Sequence, residues 1–486
     1  MDAEQMRQLE PRLREYLARF DDCFARSDTR AHLAVYICGQ LSNLERKSVE
    51  PIALDAGVPV RTRQEFLSQH RWDHLRMRDR LQQIVRDEHL AGKGEVVGII
   101  DETSWVKKGN KTPGVQRQYL GCVGKQENGI VTVHLGVSRG EFHALLDGEL
   151  FLPESWSQDR ARCRQAGIPD EVVYRPKTEI ALALYDRAHA NGVRFDWLTF
   201  DEWYGSKPPF LRALDNRQQR FVGEVHKDFV GWIEPPHIST RPYRRGQCGR
   251  RRKTPRLRAD SPKAQTVEWL ARRHPALRNQ PGELWRVKDG EKGPIVWKVK
   301  HALLYVKDED ALPTRCYHLL VCSNPLTGET KYFLSNAPQK TPIKKLLRVA
   351  FSRWPIERCF EDHKGEVGLT HWEGRLWVGL QRHLILSAVS YLFLVIACER
   401  LRGKKSGDHG VPGAASGGCG GAIVVAGRKG RRGTLRTHRR RDPIPPAPER
   451  PGAAEPHKNH PTQTAASRHQ TQHTQTSRWR YRLALW

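Results

Sequence analysis

Val96-Val97-Gly98-Ile99-Ile100-Asp101 is the stretch on which the fold turns. A short unbroken apolar run, rich in β-branched residues and stopping at an acid, reads as a strand buried on both faces with Asp101 at its end. Farther along, Phe195-Asp196-Trp197-Leu198-Thr199-Phe200 reads as another strand, and Asp201 ends it. Between them lie strand-like runs at Arg117–Val123 and Ile130–Val137, joined by the turn-forming residues 124–129. A helix is expected over Thr178–Ala190, with Ile180, Leu182, Leu184 and Tyr185 on its apolar face and Asn191-Gly192 at its end. Ser206–Leu214 follows as a helix with Pro208 and Pro209 near its start, where proline is tolerated, and Phe221–Val225 as a fifth strand.

Strand, strand, strand, helix, strand, helix, strand is the element order of the RNase H-like α/β fold. In that fold the first three strands form an antiparallel meander and the fourth lies parallel beside the first. Asp101 and Asp201 would then sit at neighbouring strand ends, where sites gather in open α/β sheets. Either acid alone is better read as a surface accident. The pair in matching slots favours a site, because adjacent carboxylates repel unless a cation lies between them.

The flanking regions divide by texture. Residues 1–90 have helical periodicity and form a helical N-terminal module. Within them Pro51–Val60, with Gly57, leads into Arg61-Thr62-Arg63-Gln64-Glu65-Phe66-Leu67, the outline of a helix-turn-helix whose second helix would bring Arg61 and Arg63 to a DNA groove. Plain helical packing fits the same residues equally well. Residues 91–227 hold the first part of the core. Residues 228–340 form a β-rich insertion, with strand-like runs at Ile295–Val306, Cys316–Val321 and Thr330–Ser335. Residues 341–402 supply the last core helices, one opening at Thr341-Pro342 and running to about Arg353 before Pro355 starts a new segment. Residues 403–486 lose periodicity and read as a disordered basic tail.

Charge points to the partner. The chain has 82 Lys and Arg against 54 Asp and Glu, a net +28, of which residues 403–486 carry +12, leaving +16 on the rest. A basic folded part is the footprint of a protein that docks on a polyphosphate. Arg241, Arg244, Arg245, Arg250, Arg251, Arg252 and Lys253 form a dense run in the insertion, read as a phosphate contact because seven like charges would otherwise repel. Ten Cys occur without a Cys-x-x-Cys pair, which excludes a zinc module and suits reduced, cytoplasmic thiols. The apolar run Leu384–Cys398 is shorter than the ~20 residues of a membrane span and reads as a buried helix, so no membrane partner is expected.

The third acid comes from Arg353-Trp354-Pro355-Ile356-Glu357-Arg358-Cys359-Phe360-Glu361-Asp362-His363-Lys364. Glu357 and Lys364 are seven residues apart, two helical turns, so both project from one face. The segment resembles the Tyr-x2-Arg-x3-Glu-x6-Lys signature of insertion-sequence DDE transposases: Arg353, Glu357 and Lys364 fit it, while Ala350 stands at the place of the Tyr. Pro355 is expected to break the helix at its start and rotate Arg353 off the shared face. Similar to the same family are Ile99-Ile100-Asp101-Glu102-Thr103, Lys107-Lys108-Gly109, Gln116–Tyr119, Phe200-Asp201-Glu202-Trp203-Tyr204-Gly205, Tyr332–Asn336 and Gly365–Leu369. The likeness covers about residues 20–402, beyond which the tail reads as a truncated or out-of-frame end.

The resemblance implies that Asp101, Asp201 and Glu357 are the catalytic triad and the ligands of two Mg2+ or Mn2+ ions. It implies cleavage of double-stranded DNA at the element's ends and strand transfer into target DNA, by a homodimer in the DNA complex. Arg353, Lys364, Arg244, Arg245, Arg250, Arg251, Arg252, Lys253, Arg61 and Arg63 are the expected DNA contacts. His363 is read as a surface histidine, and Trp354, Trp372 and Trp377 as core. Two other readings fit the same residues: a non-catalytic DNA-binding protein derived from a decayed transposase, and a structure-specific RNase H-like nuclease, which has no use for the Arg353/Glu357/Lys364 spacing.

Overall fold

The computed structural model describes residues 9–239, 255–290, 293–307, 312–403, 423–427 and 481–485. Its centre is the strand that opened the sequence reading. β1 (Val97–Val106) pairs antiparallel with β3 (Lys125–Arg139) and parallel with β5 (Trp197–Phe200), which in turn pairs parallel with β6 (Phe221–Val225). The fourth expected strand thus lies parallel beside the first.

The antiparallel part differs in detail. β2 (Gln116–Leu120) pairs with the start of β3, while β4 (Phe142–Leu150) pairs with its end. β1 also runs past Asp101 to Val106, because β3 continues to supply hydrogen bonds after β5 has ended.

Residues 228–340 extend this sheet rather than leave it. The segment contributes β7 (Val230–Trp232), the two-residue strands β8 (Ile238–Ser239) and β9 (Arg256–Leu257), which among the described residues pair only with each other, and β10 (Gln265–Thr266), then β11 (Glu283–Gly290), β12 (Gly293–Lys307), β13 (Pro313–Ser323) and β14 (Thr330–Ser335). β14 pairs with β6, so the sheet runs β10-β7-β12-β13-β14-β6-β5-β1-β3-β2, with β11 on β12 and β4 on β3. One mixed sheet carries both the acids and the insertion.

The helices of residues 9–88 are α1 (Leu9–Ala18), α2 (Ser27–Leu41), α3 (Val49–Asp55), α4 (Val60–Ser68) and α5 (His74–Glu88). α6 (Lys177–Ala190) and α7 (Pro208–Asn216) connect the core strands, and α8 (Ile343–Ala350), α9 (Trp354–Gly365) and α10 (Trp377–Gly403) follow the insertion. Alone among the described residues, α10 is long and apolar enough to cross a membrane, yet 72% of its apolar window is buried inside the protein. The N-terminal helices wrap it. Tyr16 donates to the Val389 carbonyl (2.9 Å), Gln40 bonds both Ser387 (2.9 Å) and Ser390 (2.8 Å), and the Arg382 guanidinium donates to the carbonyls of Phe66, Leu67 and Trp72 at 3.1–3.3 Å. Arg382 therefore satisfies carbonyls at and beyond the end of α4, where a helix leaves them unpaired.

Lys47, also buried, donates to the carbonyls of Gln40 and of Glu366, the C-cap of α9. The N-terminal helices and the helices after the insertion share one hydrophobic cluster. α3 and α4 meet at Gly57, whose φ of +65° makes the tight turn. In the tail, Ile423–Gly427 pairs parallel with Tyr481–Leu485; the rest of the expected disordered stretch lies outside the described residues.

Candidate active site

The parallel pairing of β1 with β5 ends at Ile100 opposite Phe200, so the next residues on the two strands are Asp101 and Asp201. Asp101 stays in β1 opposite His134. Asp201 leaves the sheet as N-cap of a single turn, Glu202–Gly205, its Oδ1 accepting from the amides of Trp203 (3.1 Å) and Tyr204 (3.2 Å). That turn lies tight on β6: a Cβ on Gly205 would stand 1.9 Å from the Glu224 carbonyl oxygen. Only glycine allows this approach, and through it the sheet fixes Asp201.

α9 brings the third acid. It buries Ile356, Cys359, Phe360 and His363, the helical period that faces the sheet, and Ile356 sits where Gly136 of β3 leaves room. Glu357 is half exposed on the other side. Arg353 joins the two acids, donating from Nη1 to Asp101 Oδ2 (2.7 Å) and from Nη2 to Glu357 Oε1 (2.9 Å). Pro355 does not rotate Arg353 away. It occupies the first turn of α9, where its missing N–H would have no helical partner anyway.

Burial dominates the electrostatics. It pushes the Asp101 carboxyl up to about 7; the Arg353 guanidinium pulls the other way and the Asp201 carboxylate adds to the rise. Asp201 is raised by burial against its amide bonds and Arg353. For Arg353 burial works against the charge, but Asp101, Glu357 and Asp201 outweigh it and raise the group. Burial lowers Lys364, with Cys122 and Asp101 opposing, so Lys364 lies within electrostatic reach of Asp101. Tyr204 is fully buried beside these acids, and its hydroxyl has no hydrogen-bond partner.

Three carboxylates against one arginine is a deficit of positive charge, and the donors are hard oxygens, the type that holds Mg2+ or Mn2+. The donor chemistry fits such cations. Among the described residues no three His, Cys, Asp or Glu side chains converge closely enough to enclose an ion. Arg353 spans Asp101 and Glu357.

The remaining expected residues fall variously. Arg61 is exposed on α4 and paired with Glu65 (2.9 Å). Arg63 is buried and donates to His32 Nδ1 (2.5 Å), because the period that points Phe66 and Leu67 into the core carries Arg63 with them. Arg241, Arg244, Arg245, Arg250, Arg251, Arg252 and Lys253 lie outside the described residues. His363 is not a surface residue: it is fully buried, its ring driven down to about 3 by burial, with Nδ1 bonded to the Cys359 carbonyl (2.7 Å). Trp354 is 53% exposed rather than core, being out of phase with the buried face of α9. Trp372 is buried, and Ala350 is buried at the end of α8. Sequence reasoning missed two ion pairs at the rim, Glu102 with Lys177 (2.7 Å) and Glu224 with Lys331 (3.0 Å). Glu102 follows Asp101, and that adjacency was the available signal.

The chain matches the DDE superfamily endonuclease family over residues 19–294 and belongs to that family. The matched stretch contains Asp101 and Asp201 and ends before Glu357. A probable transposase for insertion sequence element IS701 from Microchaete diplosiphon is 35% identical over 205 residues, 41% of this chain and 50% of that protein. The chain thus aligns with about half the length of that relative. A cryo-EM structure of the piggyBac transposase synaptic complex with hairpin DNA has a TM-score of 0.37 at 12% identity, covering 78% of this chain and 68% of the other.

Proposed function

We propose that this chain is the transposase of an insertion sequence, cutting double-stranded DNA at the element's ends and joining the freed strand to target DNA. The supporting observation is the register that sets Asp101 and Asp201 side by side with Arg353 tying Glu357 to Asp101. The β1–β3 and β1–β5–β6 pairings also support the RNase H-like reading of the core. Asp101, Asp201 and Glu357 would hold divalent cations, Mg2+ or Mn2+ and two of them in this reading. When bound, such ions activate the attacking oxygen and neutralise charge on the phosphate.

The chain's own groups do the rest. The amides of Trp203 and Tyr204 hold Asp201 in one orientation. Arg353 neutralises Asp101 and Glu357 and turns to the phosphate when DNA enters. Lys364, on the Glu357 face two turns on, contacts the strand, and Arg61 on α4 contacts the duplex farther out. The basic run from Arg244 to Lys253 adds backbone affinity without sequence preference. The working form is a homodimer on DNA, one copy per element end, in the cytoplasm.

The test is cleavage of labelled DNA carrying the repeats that flank the reading frame, in Mg2+ and in Mn2+, beside gel-shift binding to the same DNA. Asp101→Asn, Asp201→Asn and Glu357→Gln should each lower cleavage by about a thousandfold or more while binding survives. A variant that cuts normally removes its residue from the triad. Wild-type protein that binds the ends and never cuts them points to a DNA-binding protein that has lost its chemistry.

A further inference from the structure

Trp203 is a large aromatic side chain left in solvent, 41% exposed, two residues after Asp201. Its backbone amide is one of the two that fix Asp201, so its position is set by the same turn. Two ammonium groups flank its ring: Lys177 Nζ lies 5.0 Å from the ring centroid and Lys207 Nζ 5.3 Å. Lys177 also pairs with Glu102 at 2.7 Å, and Glu102 follows Asp101 in β1. The indole therefore stands at the rim of the acid cluster, tied to one catalytic strand by its amide and to the other through Lys177.

Burying an indole contributes more than almost any other side chain, so one held in water between two lysines is a feature the core does not explain. Nucleic acid supplies the matching chemistry. A base has a π face for the ring, and the phosphates on either side of it suit the two ammonium groups.

Resting on the reading of the site as a DNA-cutting centre, we propose that Trp203 stacks on an unpaired nucleobase of the cut strand beside the scissile phosphate. Lys177 and Lys207 hold the phosphates that flank this base. The contact costs the duplex one unstacked base and fixes the strand against Asp201.

The probe is a duplex of the terminal repeat with 2-aminopurine at the nucleotide next to the cut, bound by the full chain in Ca2+. Wild-type protein should change the probe's emission, Trp203→Ala should lose that change, and Trp203→Phe should keep most of it. In Mg2+, Trp203→Ala should cut intact DNA about ten- to a hundredfold more slowly, the range set by removing one base stack. DNA abasic at that nucleotide should be cut equally by wild type and Trp203→Ala. Equal loss on intact and abasic DNA, or an emission change carried by target DNA instead, overturns the proposal. If wild type cuts no DNA yet its emission change still depends on Trp203, the stack stands and the catalytic reading falls. Normal cutting without any emission change does the reverse.

Discussion

Two buried aspartates lie two strands apart in the same sheet, and they are compensated in opposite ways. Asp147 on β4 is 7% exposed and accepts from Arg187 Nε at 2.8 Å, with Arg78 at 4.0 Å. Its neighbour Glu149 takes Arg187 (3.0 Å) and Arg175, and Arg78 also holds Asp79 (2.7 Å), so three acids meet three arginines. Asp101 on β1 is 8% exposed, and its cluster sets three acids against Arg353. Burial raises both aspartates. What separates the two acids is therefore the balance of charge around each. The arginines at Asp147 bind α5 and α6 to the sheet, whereas the deficit at Asp101 leaves room for cations and phosphate.

The largest expected effect tests the structural side. Asp147→Asn leaves Arg78 and Arg187 partly buried without their shared carboxylate, and breaking such a pair costs about 3–5 kcal/mol. Chemical denaturation should show that loss, while cleavage per folded molecule stays near wild type. A loss below about 1 kcal/mol would mean that Asp79 and Glu149 already compensate Arg78 and Arg187. A smaller effect comes from the Asp101 cluster. Arg353→Gln removes the one guanidinium in a cluster of three acids, so Mg2+ should raise the melting temperature of this variant more than that of wild type, since a ligand of the folded state alone stabilises it. Equal Mg2+ responses would mean that Arg353 does not compete with cations for Asp101 and Glu357.

The sequence carried the strands that matter most. β5, β6 and the first half of β1 are short, mostly apolar runs with an acid at or beside their ends, and the Glu357-to-Lys364 spacing marks a helix face without any tertiary information. β4 went unread because Phe142-His143-Ala144-Leu145-Leu146-Asp147-Gly148-Glu149-Leu150 has no alternation, and its Ala and Leu suit a helix as well as a strand. The continuity of the insertion with the core was invisible for a different reason. Periodicity says that Thr330–Ser335 is a strand, but only long-range pairing says that its partner is β6. Lys47 and Arg382 look like surface charges in the sequence, yet each is buried against carbonyls near a helix end, so the N-terminal helices and the core are bolted together. Arg63 and His363 were misplaced by reading charge before phase, since each falls on the inward period of its own helix.

The smallest effect isolates Asp101 itself. Its folded carboxyl is raised from 3.8 to about 7, so between those values the folded chain keeps a proton that the unfolded chain has lost. Stability from this group falls as pH rises through that window, and the whole penalty is present above about 7. Asp101→Asn removes the penalty and keeps the side chain's shape. It should therefore be more stable than wild type at pH 8, with the difference shrinking through pH 7 and vanishing near pH 4. The buried histidines act with the opposite sign: His134 and His363 are lowered to about 3, and His301 and His383 to about 4, all by burial. Their unfolded forms take up protons below about 6.5, so both proteins lose stability on acidification. Because wild type and variant share those imidazoles, the difference between their melting curves cancels them. Measured in chelator from pH 4 to 8, a difference that is flat across that range would show that Arg353 compensates Asp101 fully and that the cluster has no deficit of positive charge.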